Sequence, residues 1–251
     1  PICYMFLSAF GPNVATAGNM RTILPSRLTL ASFDAFFHFS DYSLRWILNS
    51  LVVATGVVIG NVIFASMAGY AFARIEFPFK NFIFVLLLSV LMVPGQIFLL
   101  PQYQLIQKMG LLNTIPALFL PNLFSAFGTF LLRQFFMSMP QELEDAAIVD
   151  GCNRFQIFGR IMVPLIQPGI AALTIFTFKF AWNDFMWPLI VNNSMDKLIL
   201  GPALSTLQGQ YTTQYPMQMA GAVLAVIPLV VIFFIFQKQF IESVATSGIK
   251  G

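Results

Sequence analysis

The chain has 251 residues, of which 58% are hydrophobic and only 9% charged, and its net charge is +3. A soluble domain of this length could not keep enough polar surface in water with so few charges, so the composition places the chain in a bilayer. The small positive charge then reports on membrane orientation and does not point to nucleic acid.

Pro1 to Phe10 is apolar but too short to span, and the chain opens without Met, so this stretch reads as the last turns of a helix whose beginning is absent. No basic n-region, apolar h-region and small-residue cleavage site of a secretory signal is visible there. Gly11 to Arg45 is polar, carries Pro12 and Pro25, and reads as a loop with a short helix near Asp34 to Asp41. A spanning helix needs about 20 mainly apolar residues. Between charges the chain offers such runs at Trp46 to Ala73, Asn81 to Gln107, Met109 to Leu132, Ile161 to Phe178 and Leu198 to Gln237. These are five complete spans, and the shortened first one would make six. The runs are too long for barrel strands and do not alternate apolar with polar, so the fold class is all-α, a polytopic membrane helix bundle.

Gly56, Gly60, Ala65, Ala68 and Gly69 in the first full run are small residues that let helix backbones approach closely in lipid; they also match ordinary membrane-helix composition. Pro101 to Asn113 places Tyr103, Ile106 and Met109 at helical spacing and ends at Gly110, which suits a short helix in the outer interface. No internal repeat, Pro-rich linker or low-complexity tract divides the chain, so residues 1–251 read as one domain.

With the missing start on the cytoplasmic side, Arg74, Lys80, Arg133, Arg154, Arg160, Lys238 and Lys250 fall inside. Arg21, Arg27, Arg45, Lys108 and Lys197 fall outside, so the bias has the sign of the positive-inside rule. His38 is the only histidine, which removes paired-His metal motifs, and no G-x-x-x-x-G-K-[ST] phosphate loop occurs. The chain therefore does not hydrolyse ATP itself and carries no cofactor of its own. Cys3 and Cys152 would lie at different depths or sides of the membrane, which argues against a disulfide between them.

Residues 138–168 form a charged, strongly helical segment between long apolar runs. Ser138 with Gln141 makes a capping-box pattern, Pro140 sits in the tolerant first turn, and Glu142, Glu144 and Asp145 complement the positive end of a helix. Gly151 can adopt the left-handed conformation that stops a helix, and Arg154 to Arg160 starts a second one leading to Pro164. The spacing predicts a helix, a sharp turn and another helix at the membrane surface. Capping alone would also describe an ordinary interfacial helix pair.

The longer pattern of Asp145, Ala146, Ala147, then Gly151, then Ile161, Val163 and Pro164 resembles the EAA loop through which permeases of ABC importers contact their ATPase. Asp145 stands where Glu is usual and Val163 where Leu is usual. NSLVVA from Asn49, AGYAFARIEFP from Ala68, LLRQFF from Leu131, FAWNDFMWPL from Phe180, QGQY from Gln208 and MAGAVLAVIPLVVIF from Met219 extend the likeness over nearly the whole chain. They resemble the second membrane subunit of carbohydrate ABC importers, the MalG-like group.

The resemblance implies a six-span type I ABC importer permease and an EAA-type docking loop at residues 138–164. It implies ATPase contacts by Glu142, Glu144, Asp145, Ala146, Ala147, Asp150, Gly151, Ile161 and Pro164. It also implies a MalF-like second permease, two MalK-like ATPase subunits that carry ATP and Mg, an extracytoplasmic sugar-binding protein, and a place in the cytoplasmic membrane of a prokaryote. On this reading ATP closes the ATPase pair, the docked helix moves with it, and a rigid span continuing from Pro164 carries the motion to the pore.

Lys179 and Asp184 stand out because intramembrane charges are costly and face a bundle interior or an aqueous cavity. With Trp182, Asn183 and Trp187 they are the sequence's candidates for the translocation pathway. The same residues also fit a structural pairing of Lys179 and an approach of Asp184 and Trp187 to the outer interface. Two other classes stay open: a permease for a non-sugar solute such as an amino acid or phosphate, and a self-sufficient secondary transporter, although the inverted repeats of the latter are not evident.

Overall fold

A computed structural model describes residues 2–11, 28–207 and 215–248, with side chains as far as residue 238. The QGQY run, Arg21, Arg27 and Lys250 lie outside the described residues. The helices are α1 (Ile2–Ala9), α2 (Ala31–Phe39), α3 (Ser43–Arg74), α4 (Lys80–Ser89), α5 (Leu99–Lys108), α6 (Ile115–Phe119), α7 (Ala126–Ser138), α8 (Glu142–Val149), α9 (Arg154–Gln156), α10 (Val163–Leu165), α11 (Gln167–Trp182), α12 (Met186–Val191), α13 (Leu200–Thr206) and α14 (Tyr215–Gly248). The chain is all-helical among the described residues, and the short helix expected near Asp34 is α2.

The apolar runs do not all become straight rods. Ser43–Arg74 and Tyr215–Lys238 are each long and apolar enough to cross a membrane alone. Three further runs are pairs of helices, Lys80–Met92 with Gly95–Lys108, Ile115–Asn122 with Ala126–Ser138, and Arg154–Leu165 with Gln167–Trp182, bent by 97°, 48° and 77°. Counting each bent pair as one span gives up to five, which overlap the five expected runs in place while only two of them are unbroken helices. The first bend falls at Val93 and Pro94, between two short 3-10 turns. The third follows Pro164, which has no N–H for the carbonyl of Arg160, and here a π-helical turn, Ile157–Met162, takes up the mismatch before Ile166 leaves helical geometry. The span expected to continue from Pro164 is therefore bent near its start.

The described chain groups into two compact units. The first contains Pro1–Val53, Ile106–Leu118 and Trp182–Ile232. One core cluster in it sets Ala9 against Ala220 and Val223, with Phe10 and Phe33 packed beside them. Here side chains stitch a non-helical stretch. Trp46 donates its indole N–H to Met195 O (2.7 Å), Asn49 Nδ2 donates to Asp196 O (3.1 Å) and Leu198 O (2.9 Å), and Ser50 Oγ accepts Leu200 N–H (2.8 Å). From the other side Asn113 Oδ1 accepts the N–H groups of Asn193 and Ser194.

The second unit contains Ala54–Leu105, Phe119–Ala181 and Phe233–Gly251. Its core joins Ala65 and Tyr70 of α3, Leu132 and Phe136 of α7, Ala147 of α8, and Ile157, Met162, Ile166 and Leu173. The small-residue stripe of α3 is used for close approach: a Cβ on Gly69 would stand 3.0 Å from the backbone N of Arg133 and one on Gly60 2.4 Å from Leu123. Neither position could take a side chain without moving a neighbour.

Candidate functional site

The segment after α7 folds as a helix, a sharp turn and another helix, as its spacing predicts. Its caps differ from the expectation. Ser138 is the last residue of α7, where its hydroxyl donates to Phe135 O (2.8 Å), so it forms no box with Gln141, and Gln141 caps α8 without a side-chain bond. The capping box lies one helix later: Asn153 Oδ1 accepts Gln156 N–H (2.9 Å) and Gln156 Oε1 accepts Asn153 N–H (2.8 Å). Between the helices Gly151 has φ +82°, Cys152 N–H donates to Ala147 O (2.9 Å) and Gly151 N–H to Ile148 O (3.0 Å). This is a Schellman turn, and it requires the left-handed residue where the sequence puts glycine.

An eight-residue helix packed on a core must turn one stripe inward, and α8 turns Glu144 and Ala147. Ala147 joins the core beside Leu132, Phe136 and Ile157, so of the two alanines only Ala146 is exposed. Glu142, Asp145, Asp150, Gly151 and Pro164 are also exposed, whereas Ile161 is half-buried against the same core. The outward face carries apolar residues that the sequence pattern did not single out: Val149 is 87% exposed and Phe155 80% exposed, with Ile148 beside them. Large apolar groups exposed in a charged segment are a feature that protein contact surfaces share. Their position one turn from the acidic residues was the available signal.

Glu144, 4% exposed, meets three residues. Its Oε1 lies 3.2 Å from Arg74 Nε, and its Oε2 accepts from Tyr70 Oη at 3.1 Å and lies 3.5 Å from Arg154 Nη1. Arg74, at the C-terminal end of α3, also donates through Nη2 to the carbonyls of Phe136 (2.7 Å) and Met139, where α7 ends. The favour is returned by Arg133 of α7, whose Nε donates to Phe72 O (3.1 Å) in the last turn of α3 while its guanidinium lies 4.2 Å from the centre of the Phe84 ring. Each helix thus supplies a cation to the other's negative end, which leaves its terminal carbonyls satisfied. This accounts physically for the arginines in the AGYAFARIEFP and LLRQFF stretches.

The pathway candidates divide between the two units. In the first unit Trp182 and Trp187 are 7% and 4% exposed, and their indole N–H groups donate to Ala225 O (2.8 Å) and Ala117 O (3.0 Å). They anchor helices and present little open ring face. Asp184 is half-buried and its Oδ1 accepts Trp187 N–H (3.4 Å) at the start of α12, while Asn183 is exposed. Lys179, in the second unit, is exposed on α11.

A different polar and aromatic cluster lies within the second unit. A cavity of about 440 Å³ is lined by Asn61, Asn122, Phe124, Phe127, Phe176 and Phe180, among others. Asn61 is 2% exposed; its Nδ2 donates to Asn122 O (2.6 Å) and Val57 O (3.1 Å), and its Oδ1 has no hydrogen-bond partner. No group of three or more potential metal ligands occurs among the described residues.

Bent and unbroken apolar helices with one charged corner define a polytopic membrane protein. The model of the family described as "Binding-protein-dependent transport system inner membrane component" matches residues 61–245, and the chain belongs to that family. It is a multi-pass inner-membrane permease subunit of an ABC importer, and subunits of this kind are non-catalytic, ATP being hydrolysed on a separate ATPase.

Among its relatives, the arabinooligosaccharides transport system permease protein AraQ of Halalkalibacterium halodurans is 38% identical over 100% of this chain and 91% of its own length. The sn-glycerol-3-phosphate transport system permease protein UgpE of Brucella abortus is 34% identical over 79% of this chain and 71% of its own length. Among solved structures, a chain of a bacterial ABC transporter involved in the import of the acidic polysaccharide alginate superposes with a TM-score of 0.83 at 20% identity, covering 96% of this chain and 90% of that one. This last likeness is one of fold.

Proposed function

We propose that this chain is the MalG-like half of the translocation pathway of an importer for an oligosaccharide or related sugar. Its partners on this reading are a MalF-like permease, two MalK-like ATPase subunits carrying ATP and Mg, and an extracytoplasmic sugar-binding protein. The observation that carries the proposal is the 38% identity, over the whole chain, to a permease named for arabinooligosaccharides. A six-span arrangement completes the reading.

ATPase docking is assigned to the exposed face of α8 and the turn after it: Glu142, Asp145, Ala146, Val149, Asp150, Gly151 and Phe155, with Pro164 at its edge. Ala147, Glu144 and Ile161 support that face from behind. The cavity beside Asn61 is the better pathway candidate than the tryptophans. A buried amide oxygen without a donor can accept a hydroxyl, and phenylalanine rings offer apolar faces to the C–H face of a sugar. Lys179 and Asn183, both exposed, remain pathway candidates, and Asp184 is a cap for α12.

The likeness to UgpE supports a second reading, import of a glycerol phosphate. The cavity lining contains no charged residue, which fits a neutral polyol better than a phosphate ester. The test is ATPase stimulation of the reconstituted complex with its binding protein. Stimulation by arabinooligosaccharides and not by sn-glycerol-3-phosphate is the expected result, and the reverse would replace the sugar reading with the second one.

A further inference from the structure

We infer that Arg74 is a positioning residue that locks the docking helix to the end of α3, so that α8 and α3 move as one body when the ATPase moves. This rests on the reading of α8 as the ATPase contact. The geometry behind it is independent of that reading. A single guanidinium, on a side chain 10% exposed, reaches the Glu144 carboxylate of α8 and the last carbonyls of α7 at once. Tyr70, one turn earlier on α3, reaches the same carboxylate, and Arg154 closes it from the start of α9. Three elements therefore meet on one buried acid, and Arg74 ties the end of α7 to them.

Two features make this junction a route for force. The helix that follows the docking turn in sequence is bent by 77° at Ile166, after a π-helical turn and between Pro164 and Pro168, so a push along its first part is not aligned with its second. By contrast, α3 runs without a break for 32 residues, a rod of about 48 Å at 1.5 Å per residue. A motion delivered to α8 reaches that rod through Arg74 and Glu144 directly. Because Nη2 of the same planar guanidinium holds two carbonyls at the end of α7, the approach of Nε to the carboxylate is fixed in direction as well as distance, which a lysine at the same place could not do.

The test uses the assembled importer in lipid, with Cys3 and Cys152 replaced and spin labels at Gln141, the exposed cap of α8, and Glu76, just past α3, both outside the proposed docking face. The distance between labels is compared in the nucleotide-free and ATP-trapped complexes. In the otherwise unaltered protein it should stay the same within about 2 Å, the scale of helix shifts within a packed unit. A change of about 5 Å or more, one helical turn, would overturn the inference without any variant being made.

Arg74→Lys and Glu144→Gln keep size and polarity. They should broaden that distance and lower the ratio of solute transported to ATP hydrolysed by about 5-fold or more, while the ATPase still co-purifies. Co-purification with an unchanged distance and a normal ratio would also overturn the inference. If a variant fails to assemble, the distance in the unaltered complex still decides. Failure of the docking reading shows up separately, as unhindered assembly when Asp145, Val149 and Phe155 are replaced.

Discussion

Two places in this molecule satisfy backbone groups with side chains at helix ends and connections, and they do it by different chemistry. At residues 192–200 of the first unit the carbonyls and N–H groups are met by neutral side chains, those of Trp46, Asn49, Ser50 and Asn113. At the corner where α3, α7 and α8 meet, the task falls to charges: Arg74, Glu144, Arg133 and Arg154. A neutral amide that loses its partner leaves one unpaired dipole. A buried ion that loses its partner leaves an uncompensated charge, which is far more costly in a medium of low dielectric. In a chain with only 9% charged residues, concentrating several of them at one corner makes that corner hard to separate and well suited to transmit displacement.

The largest effect expected from this contrast is at Glu144. Glu144→Ala strands Arg74, so it should destabilise the second unit by about 3–5 kcal/mol, the range for breaking a buried pair from one side. Tyr70→Phe removes one hydrogen bond to the same carboxylate and should cost about 1 kcal/mol. Thermal inactivation of the purified complex measures both. A Glu144→Ala protein as stable as Tyr70→Phe would mean that solvent reaches the pair and that the contrast between the two regions fails.

Asn49→Ala tests the neutral side of the comparison. It removes the donor to Asp196 O and Leu198 O and should destabilise the first unit by about 1–3 kcal/mol, the cost of leaving buried carbonyls unsatisfied. Limited proteolysis within residues 192–200 should rise in step with that loss. Equal cleavage in the variant and the unaltered protein would show that Trp46, Ser50 and Asn113 hold the segment without it.

Much of this architecture can be read from the residues, and the parts that cannot have a common cause. The apolar runs located the helices because charges and loops bound them, and glycine at 151 announced the turn because other residues resist positive φ. The capping box was misplaced because Ser138 and Asn153 carry the same kind of signal. Which of them starts a helix depends on whether the preceding helix has already claimed the residue, as α7 claims Ser138.

The inward stripe of α8 escaped for a similar reason. Over eight residues periodicity is too short to set the phase, so Glu144 and Ala147 read as surface until the core behind them is seen. Trp182 and Trp187 offer aromatic surfaces by type, and residue type alone does not show that their indole N–H groups donate to the carbonyls of Ala225 and Ala117. Asn61 gave no sign at all, since its importance lies in an acceptor left unpaired by tertiary packing.

The turn between α8 and α9 separates shape from charge at the same corner. A Cβ at Gly151 would meet nothing within 4 Å, so a substitution there is opposed by backbone conformation alone. Gly151→Val should cost about 1–2 kcal/mol, the penalty of a left-handed residue, and if the turn relaxes it does so by redirecting Asn153 and Phe155. The expected outcome is a complex whose membrane unit stays folded while ATPase co-purification falls. Gly151→Asn, which tolerates that conformation, should restore much of the loss. Recovery with Asn would show that the angle of the turn governs docking, whereas equal loss with Val and Asn would assign the effect to bulk at the partner's surface.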